Sequence, residues 1–254
     1  MTDLASRCDA LRSLHVPGKP LLLPNAWDVA SARAVEAAGF PVVATTSAGV
    51  AAALGFEDHE DAPAEEMLAA AARIARGVKV AVTVDAEAGY GMDPQDLVAR
   101  LREIGVAGCN LEDTDHRTGE LRDRGPHAEW LAAVREAAAR REYGLVVNAR
   151  IDVFVRAASA GAEGSQAELV DEALRRARAY SDAGADCVYP ILLWEPEALA
   201  RFVAEHPGPV NAVRIPAGPS VLELAELGVA RVSWGGQLAH RSIEWLGQAL
   251  ESLA

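Results

Sequence analysis

The chain has 254 residues, of which 50% are apolar and 24% charged, and its 37 acidic against 24 basic side chains give a formal charge of -13. That length suits a single α/β barrel and is ample for a sizeable core. The acidic balance, with no basic block, excludes a nucleic-acid or anionic-membrane surface, because phosphate contacts need clustered Lys and Arg.

In chain order, a helix is expected over 3–14 and a first strand over 21–24. Strand and helix then alternate. Short β-branched or apolar runs bounded by Gly and Pro predict buried parallel strands over 42–45, 80–84, 108–112, 145–149, 187–191, 210–213 and 231–234. Ala-, Leu- and Glu-rich stretches with helical period fill 28–38, 64–76, 94–104, 127–141, 166–183, 195–206, 220–227 and 237–253. Gly39, Gly105, Gly184 and Gly228 each follow a helix, where glycine supplies the left-handed cap. Residues 157–165, rich in Ala, Gly and Ser, read as a loop. Eight such units, at a spacing of about 30 residues, predict one (β/α)8 TIM barrel. No segment nears the ~20 apolar residues of a membrane helix, and the first residues lack the apolar stretch of a secretory signal. Cys8, Cys109 and Cys187 show no C-x-x-C spacing, so neither a disulfide framework nor a zinc–thiolate site is expected, and a cytoplasmic location fits.

Function in such a barrel gathers at the C-terminal ends of the strands. Acids crowd one sector there: Asp58 follows the second strand, Asp85 and Glu87 the third, and Glu112 the fourth. Asp85 and Glu87, two apart in an extended run, are expected on one face. Like charges in a confined mouth are costly unless protons or a cation neutralise them. A hard divalent ion held through oxygen, Mg2+ first among them, meets that need. The plainer alternative is that these acids are solvated, or pair with Arg150. Arg150 itself has two compatible roles, as a bidentate clamp on an anion or as the salt-bridge partner of Glu112 or Asp152. Thr45, Thr46 and Ser47 offer hydroxyls and amides to a carboxylate or phosphate, or simply cap a loop. His59 and His116 flank the acids on loops, whereas His15, His127, His206 and His240 lie in or beside helices and are given no role. Cys109 and Cys187, inside strands, are expected to be inert. The tryptophans form no stacking ladder.

These residues resemble the isocitrate lyase and phosphoenolpyruvate mutase superfamily. The matching segments are Asn25-Ala26-Trp27-Asp28, Thr45-Thr46-Ser47-Ala48, Leu54-Gly55 with Asp58, Asp85-Ala86-Glu87-Ala88-Gly89-Tyr90-Gly91, Leu111-Glu112-Asp113 and Asn148-Ala149-Arg150-Ile151-Asp152. The resemblance implies a (β/α)8 barrel using Mg2+ or Mn2+ for enolate chemistry on a small carboxylate substrate, a 2-oxo acid. It further implies homodimers that exchange the last helix, and tetramers built from them. By the same resemblance Asp85 is the direct metal ligand, Glu87 and Glu112 hold metal-bound waters, and Asp58 completes that shell. Arg150 contacts the substrate carboxylate or enolate oxygen, and Thr46, Ser47 and Ala48 bind its carboxylate or phosphoryl group. Two departures stand out. Glu87 occupies a position where many members have Asp. After the fourth strand the Lys- and Cys-bearing lyase signature is replaced by Asp113-Thr114-Asp115-His116-Arg117-Thr118-Gly119-Glu120, leaving His116, Arg117 or Asp115 to supply the acid. A metal-dependent lyase is therefore expected; a phosphonate mutase with P–C/P–O chemistry and a dicarboxylate-binding barrel without turnover are the alternatives.

Overall fold

The structure is a computed structural model and describes residues 3–161 and 165–253. Its first stave is an extended stretch interrupted at Pro24, which has no amide to donate to a ladder. Before the proline, β1 (Leu21–Leu23) pairs with the last strand; after it, β2 (Asn25–Ala26) pairs with β3 (Val42–Thr45). The ladder continues in parallel through β4 (Ala81–Asp85), β5 (Gly108–Glu112), β8 (Val146–Ile151) and β9 (Cys187–Pro190). A bridge between Val188 and Val210 leads to β10 (Asn211–Val213), which pairs with β11 (Arg231–Ser233) and so back to β1. The expected eight-stave barrel is closed. The remaining strands, β6 (Thr114–Asp115) and β7 (Glu120–Leu121), form an antiparallel hairpin after β5.

The outer ring is built by α2 (Val29–Ala37), α4 (Ala64–Gly77), α5 (Pro94–Ile104), α6 (Arg124–Ala139), α8 (Val170–Asp182), α9 (Pro196–Glu205) and α10 (Val221–Glu226). Local signals set their ends. Asp28 and Ser31 form a reciprocal capping box at α2, and α4 carries Glu65 and Glu66 in its first turn and Arg76 in its last, each favourable to the helix dipole. At the bottom, α1 (Leu4–Ser13) buries Cys8 and Leu11 against the strands. Gly108 permits this, since a Cβ there would stand 2.8 Å from Leu11 Cδ2.

Three features differ from the sequence reading. At the mouth, α3 (Ser47–Leu54) begins where a strand-end turn was expected, because Ser-Ala-Gly-Val-Ala-Ala-Ala-Leu has no polar face to mark a helical period. Part of the expected 157–165 loop is the end of α7 (Val153–Ser159), and residues 162–164 lie outside the described residues. The helix expected over 166–183 divides into a 3-10 turn, Gln166–Glu168, and α8.

The barrel interior is polar. Arg231, 1% exposed, donates from Nη2 to Asn110 Oδ1 (3.0 Å), and Asn148 Nδ2 donates to the same oxygen (2.9 Å). The last helix, α11 (Gln237–Glu251), buries only Ala239 and leaves Ile243, Trp245, Leu246 and Leu250 exposed. No helix among the described residues is long and apolar enough to cross a membrane.

Candidate functional site

Asp85 ends β4 at the mouth. Its amide donates to Thr45 Oγ1 (2.9 Å), and its Oδ2 accepts from the Ser47 amide at the start of α3 (3.2 Å). Its Oδ1 is buried with no partner. The first turn of α3 also leaves the amides of Ala48 and Gly49 without carbonyl partners, as every helix start does. Thr46, Ser47 and Ala48 thus meet Asp85 as a helix N-terminus rather than a loop, a place that favours anions.

Glu87 does not share a strand with Asp85. β4 stops at Asp85, and Glu87 sits in the following turn with φ of 47°, so the alternation argument fails. Its carboxylate reaches the cluster by another route. Glu87 Oε2 accepts from the Glu60 amide (2.6 Å), Glu60 Oε1 accepts from the Tyr90 amide (2.6 Å), and the Glu87 carbonyl accepts from the Glu112 amide (2.9 Å). His59, Glu60, Glu87 and Tyr90 all have positive φ, at 74°, 60°, 47° and 57°. Left-handed residues other than glycine cost of order 1 kcal/mol each and persist where surroundings over-determine them. Here the hydrogen bonds between the loop after α3 and the turn after β4 hold these strained residues in place.

Glu112, 1% exposed at the end of β5, lies between a guanidinium and an imidazole. Arg150 Nη1 is 2.5 Å from its Oε2, and His116 Nε2, from the first turn residue of the β6–β7 hairpin, is 2.6 Å from its Oε1. Arg150, at the end of β8, also donates from Nε to Asp152 Oδ1 (2.6 Å) and from Nη2 to Asp152 Oδ2 (3.2 Å). Both salt bridges considered from sequence are present. One N–H on each Nη remains for an incoming oxygen. The rings of His59 and His116 are 5.3 Å apart, and Asp58 presents a buried, unpartnered Oδ1 on the same loop.

Burial pushes the Glu87 carboxyl up to about 8, reinforced by Asp85, Asp58 and Glu112. Burial likewise raises Glu112 to about 7, against the pull of Arg150. For His116 burial opposes protonation, but contact with Glu112 and the charges of Glu60 and Glu87 outweigh it and raise the pKa. Among the described residues no three His, Cys, Asp or Glu side chains form a ready ligand set. Asp85 Oδ1 is a buried oxygen at a strand end with neither a hydrogen bond nor an ion pair, whereas Glu87 accepts from the Glu60 amide and Glu112 is in ion-pair contact with Arg150 and His116. This donor set fits a hard ion that takes one or two direct carboxylates and keeps its waters. All-protein coordination by Asp85, Glu87 and Glu112 together is not what it offers.

A pH dependence follows. Glu87 and Glu112 bind protons more tightly folded than unfolded, so the stability they contribute falls as pH rises from their unfolded value of 4.5 to about 8. His116, also raised, loses its contribution above the usual histidine range, in the same direction. Buried His15 and His127, lowered to about 4 and 3, act oppositely but only below their unfolded 6.5. Between about pH 6.5 and 8.5, calorimetry without divalent ions should therefore show a falling Tm, and saturating Mg2+ should flatten the slope. A Tm that rises with pH in that window would contradict the acid cluster.

Sequence reasoning missed Glu60, whose role is a backbone amide and a strained turn, and the inward-facing Asn110, Asn148 and Arg231. A polar residue inside an apolar strand run was the available signal for those three. Cys109 and Cys187 are buried free thiols, each raised by burial to about 12, which agrees with their expected inertness; Cys8, also buried and free, is raised to about 11.

Comparison with known proteins gives concordant results. The family profile for phosphoenolpyruvate phosphomutase matches residues 11–254. The chain is 41% identical to a "putative phosphonomutase" of Burkholderia cenocepacia J2315, whose crystal structure superposes with a TM-score of 0.90 over 97% of this chain and 99% of that one. It is 34% identical to a "Probable 2-methylisocitrate lyase 2" of Corynebacterium glutamicum, over 87% of this chain and 71% of the relative. It is 26% identical to 2,3-dimethylmalate lyase, a structure of the same superfamily, with a TM-score of 0.82 over 100% of this chain and 88% of that one.

Proposed function

Because the chain belongs to the phosphoenolpyruvate phosphomutase family, within the isocitrate lyase and phosphoenolpyruvate mutase superfamily, we propose that it is a Mg2+-dependent lyase acting on a small 2-oxo acid or hydroxy-polycarboxylate. The observation that carries this is the free Asp85 Oδ1 beside the α3 amides, with the Arg150 guanidinium on the same mouth. Asp85 would hold Mg2+ (or Mn2+), with Glu87 and Glu112 holding its waters and Asp58 beside them, and the ion would supply positive charge against a developing enolate.

The rest is the work of the chain. The free amides of Ala48 and Gly49, with the hydroxyls of Thr46 and Ser47, bind the substrate carboxylate at the helix start. Arg150, held by Asp152 and Glu112, turns its remaining N–H groups to the oxygen that becomes negative as the bond beside the oxo-acid carbon breaks. For a hydroxy-polycarboxylate, the 2-hydroxyl gives its proton to a carboxylate of the cluster as its carbon becomes the 2-oxo carbonyl, and the electron pair of the broken C–C bond leaves with the other carboxylate fragment as its enediolate, which takes one proton to become product. His116 carries that proton at Nε2, between the hairpin and Glu112. The lyase signature is absent, and this imidazole replaces its thiol. A panel of hydroxy-polycarboxylates assayed for Mg2+-dependent release of a 2-oxo acid tests the reading. Phosphorus NMR on phosphoenolpyruvate and phosphonopyruvate is the control. A new P–C or P–O signal with no activity on the panel would assign the mutase reaction instead, and oxalate binding with no turnover at all would leave a binding barrel.

A second copy completes the molecule. On α11, Ile243, Leu246 and Leu250 share one stripe with Trp245 beside it, all exposed, which suits a helix exchanged between two subunits better than a free surface. Ile243→Glu with Trp245→Glu should turn a dimer or tetramer into a monomer by light scattering. An unchanged mass would remove the pairing.

A further inference from the structure

Behind Arg150 lies a second layer of buried charge. The Asp152 amide donates to Asp113 Oδ1 (2.8 Å), and the Thr114 hydroxyl of the hairpin donates to Asp152 Oδ2 (2.6 Å). Asp113 is fully buried; on Oδ2 it accepts from Arg176 Nη1 (2.9 Å) and from the Tyr180 hydroxyl (2.7 Å), both from α8. Arg176 Nη1 also donates to the Arg122 carbonyl (2.9 Å), while the Arg122 amide donates to the Asp113 carbonyl (2.7 Å) just past β7. Asp113 therefore ties an outer helix to Asp152, the residue that holds the Arg150 guanidinium, and its carbonyl and Arg176 together secure the far end of the hairpin that bears His116.

Stability alone is a weak reason for such a network, since buried ion pairs often do no better than apolar residues of similar volume. What it supplies is geometry. A planar guanidinium whose partner is itself locked from behind keeps one orientation. We propose that Asp113, Arg176 and Tyr180 are positioning residues that fix Arg150, and its spacing to His116, for anion binding at the barrel mouth. The functional part of this rests on the role given to Arg150 above.

The test begins without ligand, on protein labelled with 15N at arginine Nε. The Arg150 Nε–H is the signal lost in Arg150→Lys. In Tyr180→Phe and Arg176→Met its exchange with water should accelerate at least tenfold, with partial recovery in Arg176→Lys. The Nε–H of Arg12, which donates to Asp186 far from this network, should not change. In the same proteins the affinity for oxalate with Mg2+ should fall about tenfold. Tyr180→Phe is the variant expected to fold without difficulty. A lowered Tm with unchanged Arg150 exchange and unchanged oxalate affinity would reduce the network to a structural role and overturn the proposal. Faster Arg150 exchange in a protein whose unsubstituted form binds no oxalate would overturn the functional reading and leave the coupling from α8 standing.

Discussion

Replacing Asp85 with Ala should abolish metal-dependent turnover while leaving the fold at least as stable. The two halves of this expectation have one cause. Asp85 Oδ1 is a buried carboxylate oxygen that no protein group satisfies, and its charge helps to push Glu87 up to about 8. Its removal relieves repulsion in the empty protein and deletes the free ligand for a cation. Charge stabilisation by a bound ion is worth several kcal/mol, so the rate should fall by about 10³-fold or more. Titration calorimetry should show Mg2+ affinity lost in parallel, with Tm unchanged or raised. Full activity in the Ala variant, or in chelator, would place the chemistry elsewhere.

The second large effect is at Arg150, where substitutions should separate catalysis from folding. Arg150→Met leaves Glu112 and Asp152 buried without their cation, and removing one partner of a buried pair costs about 3–5 kcal/mol. At about 2–4 °C per kcal/mol for a chain of this size, Tm should drop by roughly 6–20 °C. Arg150→Lys keeps the charge but not the fork that holds Asp152 by two bonds. It should retain most of the stability and lose about 10²–10³-fold in kcat/KM. A Lys variant with unchanged kcat/KM would make Arg150 a structural ion-pair partner only.

The barrel was legible because strand and helix alternate with glycine caps, and because each strand run is apolar enough to be buried on both faces. What escaped has specific causes. In α3 the residues are apolar all round, so no helical period exists to read. The hairpin of β6 and β7 is two residues a side and is held by the turn from Asp115 to Gly119, below the length at which alternation shows. The acids of the site were visible as a set, but their geometry was not. Extended spacing assigned Asp85 and Glu87 to one face, whereas a left-handed residue after β4 redirects Glu87 and joins it to Glu60 through a backbone amide. Sequence carries no signal for a strained φ at a glutamate. Arg150 was read with both of its roles, and the fold realises both, because β5 and β8 pair Glu112 with Arg150 in register while Asp152 closes the fork from the next turn.

The most direct test is a crystal structure of the protein soaked with Mg2+ and oxalate, a flat mimic of the pyruvate enolate. One ion should bind Asp85 directly, with Glu87 and Glu112 a water away and oxalate between Arg150 and the first amides of α3. An ion bound at another place, or an empty mouth at saturating Mg2+ and oxalate, would contradict the assignment of this site.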